Sequence, residues 1–198
     1  MIILFGMAGS GKGTQGEALS EIFGWRWLSV GQVLRDSGKY TEILNRGELV
    51  TDSDVVALMS EKIDRAEQDG FDVILDGYPR NIWQAEWLAD NGYIDKIDCA
   101  VILDVPVEEL MKRLTLRARD DDKDDESIKK RFAVFEQNIY SMCDLLNSHG
   151  VQVVKVDGTG EIGEVTDRLV DVVKKIVPGA VEQNDDVNGG EIEHSYGE

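Results

Sequence analysis

Apolar residues gather in short runs along the chain: Ile2–Phe5, Trp27–Ser29, Val73–Leu75, Cys99–Leu103 and Val151–Val156. Runs of this length, rich in β-branched residues, read as buried strands. Between them the apolar spacing lengthens to helical. Thr14–Phe23 is apolar at Ala18, Leu19 and Ile22, and Ser53–Asp64 carries Val55, Val56, Leu58 and Met59, with Asp52 or Ser53 as its N-cap. Asn81–Asn91, Val107–Leu116, Asp125–Asn147 and Glu164–Ile176 continue the helical pattern. Strand alternating with helix predicts an α/β three-layer sandwich, a five-stranded parallel sheet covered on both faces. Ligands of such sheets bind beyond the C-terminal strand ends. After Pro178 the segment Gly179–Glu198 turns polar and acidic, so residues 1–177 are expected to form one domain and 178–198 a disordered tail.

The first strand leads into Gly6-Met7-Ala8-Gly9-Ser10-Gly11-Lys12-Gly13-Thr14, with a helix opening at Lys12. Gly6 and Gly11-Lys12 keep the phosphate-loop spacing, four residues between the glycines and a lysine after the second. A loop that wraps its N–H groups around polyphosphate needs small side chains and positive φ. The helix N-terminus adds partial positive charge and the lysine a full one. The sequence therefore predicts a P-loop nucleotide site, with the unusual feature that Gly13 intervenes before Thr14.

Val73–Asp76 is an apolar strand ending in a carboxylate, a position suited to the water shell of Mg²⁺ beside nucleotide phosphates. Val101–Asp104 repeats the pattern. Asp76 is preferred because Gly77-Tyr78-Pro79-Arg80 follows it, a rigid turn that sets an arginine beside the metal site; Asp104 is read as a turn or cap residue. Arg113 and Arg117 stand four apart on one helical face, Arg119 follows, Arg131 closes Lys129-Lys130-Arg131, and Arg35 stands apart. Single surface arginines usually make weak solvated pairs. Phosphoryl transfer nonetheless requires cations around both donor and acceptor phosphates, and the guanidinium fork suits bidentate phosphate contact.

Charge and cysteine usage narrow the classes. The net charge of −18, from 39 acidic and 21 basic residues, disfavours nucleic acid and anionic membranes as partners. It also obliges any phosphate site to concentrate its cations locally. Either a saline habitat or solubility alone accounts for the acidity. No apolar run is long enough to span a bilayer and no leader is apparent, while Cys99 and Cys143 match no metal spacing. A cytoplasmic protein without disulfides is the expectation.

Taken together these motifs resemble the nucleoside monophosphate kinase family, the adenylate kinases most closely, from Met1 to about Val177. Gly6–Gln15 matches the family loop, in which the Lys-Gly-Thr order is normal. Leu28–Arg35 and Gly47–Asp52 match the monophosphate-binding segment, Asp76–Arg80 the family signature, and Val156–Thr159 the late loop. The resemblance implies Mg²⁺-dependent transfer of the γ-phosphoryl of ATP to AMP, giving two ADP. It also implies roles. Gly9, Ser10, Gly11, Lys12, Gly13 and Thr14 would hold the ATP phosphates, with Thr14 and Asp76 serving Mg²⁺ largely through water. Arg113 would lie against the ATP base, Arg117 near its phosphates and Gly160 by its adenine. Val30, Arg35, Glu48, Leu49, Val50, Gly77, Arg80 and Gln84 would form the AMP site, with Gln84 pairing to the base. Arg35 and Arg80 would clamp the α-phosphate of AMP and Arg119 and Arg131 approach the transferring group, which with Lys12 makes these five the catalytic set.

Three departures bear on specificity. Val30 replaces a usual threonine that contacts adenine, and small apolar residues occur there in pyrimidine-specific relatives, which keeps UMP, CMP or deoxynucleotide acceptors open. Gln32 replaces a usual aspartate, removing a charge near Arg35, and Ala8 replaces a loop proline. The insertions are small: a monophosphate-binding segment at about 29–50 and a lid at about 116–122, too short to carry structural zinc. A nucleotide-binding module with little catalysis is the reading from another class. Partners are expected to be nucleotides, with assembly as monomer or homo-oligomer open.

Overall fold

Ile2–Phe5 form the central strand β1 of a computed structural model that describes residues 1–41, 43, 50–116 and 125–183. The elements follow as α1 (Lys12–Phe23), β2 (Arg26–Ser29), α2 (Val30–Asp36), α3 (Asp52–Gln68), β3 (Val73–Asp76), α4 (Ile82–Asp90), a 3₁₀ turn (Ile94–Lys96), β4 (Cys99–Asp104), α5 (Val107–Leu116), α6 (Asp125–Ser148), β5 (Gln152–Asp157) and α7 (Ile162–Ile176). All five strands pair in parallel in the order β2-β3-β1-β4-β5. The order reverses around β1, so the loop after β1 opens at the topological switch where ligands of such sheets bind.

Period-two alternation distributes the core. Ile3, Phe5, Val73, Leu75 and Ala100 face one layer, with α3, α4 and α6; Ile2, Leu4, Ile74, Val101 and Leu103 face the other, with α1 and α7. A third cluster joins Leu110 and Leu114 of α5 to Ile128 and Phe132 of α6, with Met7 and Ala8 of the first loop packed against it. The phosphate loop is thus backed by apolar contacts rather than left as a free turn. Ala8 fills the usual proline position within this packing.

The α/β reading holds, and the differences are local. The helix Val30–Asp36 is one that periodicity left unassigned. Thr51, rather than Asp52 or Ser53, caps α3, its hydroxyl accepting the Asp54 N–H at 3.3 Å. Residues 178–183, on the tail side of the expected boundary, return to α1, where the Gln183 N–H donates to the Ile22 carbonyl at 2.7 Å. Residues 184–198 lie outside the described part.

Trp27 packs under the first turns of α1. A Cβ on Gly16 would overlap the indole, its Cδ1 only 2.6 Å away. Gly16→Ala would gain about 1 kcal/mol of helix propensity. Overpacking costs about 1–3 kcal/mol, so the overlap should win. A lower urea midpoint for G16A, with part of the loss recovered in G16A/W27L, is the expected result. An unchanged or higher midpoint would show that the indole yields freely.

Candidate active site

Gly9 and Gly11 carry φ of 85° and 95°. At Gly9 the backbone also runs against α5, where a Cβ would lie 3.0 Å from Leu114 Cγ and 3.2 Å from the Leu110 carbonyl. Gly11 is the N-cap of α1, and a Cβ there would meet open space, so only the left-handed conformation requires glycine. Ser10 is buried, its Oγ without a protein partner. The Lys12 ammonium donates to the Gly6 and Met7 carbonyls at 2.7 and 3.0 Å, holding it against the loop. Thr14 is exposed within the first turn of the helix. Gln15 clamps the far side: its Nε2 donates to the Ile162 carbonyl at 3.1 Å and its Oε1 accepts from Thr166 at 2.8 Å, tying α1 to α7.

Asp76 closes β3, beside β1, and is buried at 7 % exposure. Asp104 is exposed at the end of β4, in a cleft of about 470 Å³ with Pro106, Lys155, Asp157 and Thr159. Burial therefore separates the two carboxylates that the sequence pattern made alike. The cations gather around Asp76. Burial lowers the Lys12 ammonium to about 8; Asp76 opposes the shift, while Arg80 and Arg131 add to it. Arg80 is likewise lowered by burial, with Asp76 opposing and Arg131 and Arg35 adding. Its guanidinium stays charged, since arginine does not deprotonate in proteins. Lys12 and Arg80 thus share the field of Asp76 and Arg131, and Arg35 acts on Arg80 from α2. Screening over about 8 Å lets such a local cluster outweigh a distant acidic surface.

Residues 4–151 match the family model described as Adenylate kinase. The chain belongs to the adenylate kinase family. A Porphyromonas gingivalis protein named Adenylate kinase is 37 % identical over 189 residues, covering 88 % of this chain and 95 % of that protein. Proteins of the same name from Synechococcus and Natronomonas pharaonis are 34 % and 33 % identical, each covering 85 % of this chain and 95 % and 94 % of their own lengths. Members of this family are ATP-dependent nucleoside monophosphate kinases converting ATP and AMP to two ADP.

On the side of the adenylate kinase site expected to take the ATP base, Arg113 donates through Nε to Glu109 at 3.0 Å and through Nη1 to the Gly158 carbonyl at 3.1 Å. That bond brings α5 to the loop after β5. Gly160, with φ of 99°, lies in the same loop, which Arg168 braces by donating to the Asp157 and Thr159 carbonyls at 2.9 and 2.7 Å.

On the side expected to take the monophosphate, Val30 is buried at 1 % exposure, and a Cβ on Gly77 would lie 3.4 Å from its Cγ1. Val50 is half-buried against the first core cluster. Arg80 Nε donates to the Gly77 carbonyl at 2.9 Å, folding the side chain back over its own turn. Arg35 donates to Gln32 Oε1 at 2.9 Å, and Gln32 Nε2 donates to Asp36 at 2.6 Å. Asp36 therefore restores, through Gln32, a carboxylate in the Arg35 network, a partner the sequence reading passed over although it stands one turn from Gln32. Gln84 is 2 % exposed and held at both ends of its amide, by the Arg80 N–H at 2.8 Å and by Asp52 at 2.6 Å. Its partner Asp52, which the sequence offers as an N-cap and as the end of the Gly47–Asp52 match, and Asn81, which opens a helical pattern, carry no expected contact with Gln84 in the sequence. Arg117, Arg119, Glu48 and Leu49 lie outside the described residues, as do residues 118 and 120–122 of the expected lid.

Proposed function

We propose that this chain catalyses reversible, Mg²⁺-dependent transfer of the γ-phosphoryl of ATP to AMP. The supporting observation is that Lys12 and Arg80 share the field of Asp76 and Arg131, with Arg35 acting on Arg80; in this reading Lys12 serves the triphosphate, Arg35 and Arg80 the monophosphate, and Arg131 both. The acceptor is an already ionised phosphate, so the reaction needs positioning and charge stabilisation rather than a general base. Lys12 and the Gly9–Thr14 amides would hold the β- and γ-phosphates, Arg35 and Arg80 the AMP phosphate, and Arg131 with Arg119 the transferring group. Arg113, Arg117 and Gly160 would take the ATP base and phosphates, and Val30, Glu48, Leu49, Val50, Gly77 and Gln84 the AMP nucleoside.

Mg²⁺ is bound by one or two oxygen ligands plus phosphates and water rather than by a protein cage. No group of three or more His, Cys, Asp or Glu suited to a metal occurs among the described residues, and the Asp76 carboxylate with the Thr14 hydroxyl offers hard oxygen donors of the right kind. The ion would neutralise phosphate charge during transfer. We further propose one catalytic domain at 1–177, with the small segment at 29–50 and the reduced lid at 116–122 excluding water. The two thiols are free and none of the described helices can cross a membrane, which agrees with a cytoplasmic setting.

Val30 favours a second reading, a pyrimidine acceptor, because valine removes a hydroxyl that could contact adenine. Turnover with ATP, Mg²⁺ and each of AMP, dAMP, CMP, UMP and GMP tests both readings. AMP is expected to be phosphorylated fastest. Faster CMP or UMP turnover would overturn the AMP assignment, and tight nucleotide binding without any turnover would favour the non-catalytic module.

A further inference from the structure

The amide of Gln84 cannot be turned over without penalty. Its Oε1 faces the Arg80 N–H, which only donates, and its Nε2 faces Asp52 Oδ1, which only accepts when ionised. Flipping the amide would set donor against donor and oxygen against carboxylate. The same Asp52 oxygen accepts from Asn81 Nδ2 at 2.9 Å, while Asn81 Oδ1 accepts the Gln84 N–H at 2.9 Å as the cap of α4. Asp52 stands in the first turn of α3 and Gln84 in the first turn of α4, so the contact joins two helices across 32 residues of sequence. One N–H of Nε2 and one lone pair of Oε1 remain for a further partner.

We propose that Asp52 is a positioning residue that fixes the hydrogen-bonding sense of Gln84 and thereby sets which base edge the acceptor site takes. This rests on the reading that Gln84 meets the acceptor base. Adenine offers an amino donor beside a ring acceptor; hypoxanthine offers an oxygen acceptor beside a ring donor, the reverse order. An amide locked in one sense matches one of these edges and opposes the other. Without Asp52 only the Arg80 N–H holds the amide, and reversal meets one mismatch in place of two. Asparagine at this position would keep an acceptor oxygen for both Gln84 and Asn81.

The experiment measures kcat/KM for AMP and for IMP, with the KM for ATP, in the wild type, Asp52→Ala, Asp52→Asn and Gln84→Ala. Asp52→Ala is expected to shrink the AMP-to-IMP ratio about tenfold, mainly through the KM for AMP, with the KM for ATP unchanged. Asp52→Asn should hold the ratio within about threefold of the wild type. If Gln84→Ala collapses the ratio while Asp52→Ala leaves it intact, the proposal fails and the Gln84 reading stands. If Gln84→Ala leaves the ratio intact, the base-reading role fails and takes the proposal with it. Should Asp52→Ala not fold, the asparagine variant decides, since a ratio collapsed there with an unchanged KM for ATP overturns the proposal.

Discussion

Arg80→Ala is expected to lower kcat by about 10³ or more while ATP affinity stays within about threefold. The loss corresponds to about 4 kcal/mol of transition-state stabilisation. The size follows from where the guanidinium sits. Its turn is pinned at the peptide nitrogen by Gln84 and at Nε by the Gly77 carbonyl, so it approaches a phosphoryl group with little reorganisation. The charges of Arg131 and Arg35 press on it while Asp76 supports it, and a phosphate relieves the repulsion. Arg80→Lys should recover only part of the rate, because an ammonium cannot supply the fork. Steady-state kinetics with both nucleotides, beside calorimetric titration of ATP alone, separates the two effects. Turnover near the wild-type rate would remove Arg80 from the mechanism, and a parallel loss of ATP affinity would move it to the donor side.

The parts of the site legible in the sequence are those whose physics is local. Ile2–Phe5 and Gly6–Thr14 adjoin in the chain, so strand, turn and helix N-terminus can be read as one unit, and the structure keeps them so. The choice of Asp76 over Asp104 rested on the turn that follows; the structure adds a second reason in burial, which no short window encodes. What escaped depends on packing. Asp52 meets Gln84 only because α3 lies against α4, and a pattern of apolar positions does not say which polar residues meet at that seam. Trp27 reads as an ordinary core residue, and only the close approach to Gly16 explains why that turn of α1 lacks a side chain. Asp36 is the exception, since its spacing from Gln32 is a helical neighbour relation that would have been readable had Val30–Asp36 been assigned as a helix.

Lys12→Met is expected to lower kcat/KM for ATP by about 10²–10³, the range for removing one preorganised donor from developing charge. Methionine keeps most of the side chain's length and removes its charge, so a smaller loss would mean that the loop amides and helix N-terminus suffice. A pH signature identifies the residue independently. In the free protein burial favours the neutral amine and brings its pKa to about 8, against the ordinary 10.5. Bound phosphates favour the ammonium, so the pKa rises in the complex, and binding above pH 8 must take up a proton. The sign is definite: ATP affinity falls as pH rises through about 8, by up to about tenfold per pH unit, until the bound-state pKa is reached. At pH 8.5 uptake should approach about three quarters of a proton per ATP, from the fraction of amine then neutral. At pH 6.5 Lys12 should contribute none. Calorimetry in two buffers of different ionisation enthalpy gives the number directly. Lys12→Met should abolish the uptake at pH 8.5, and a variant that retained it would place the titrating group elsewhere.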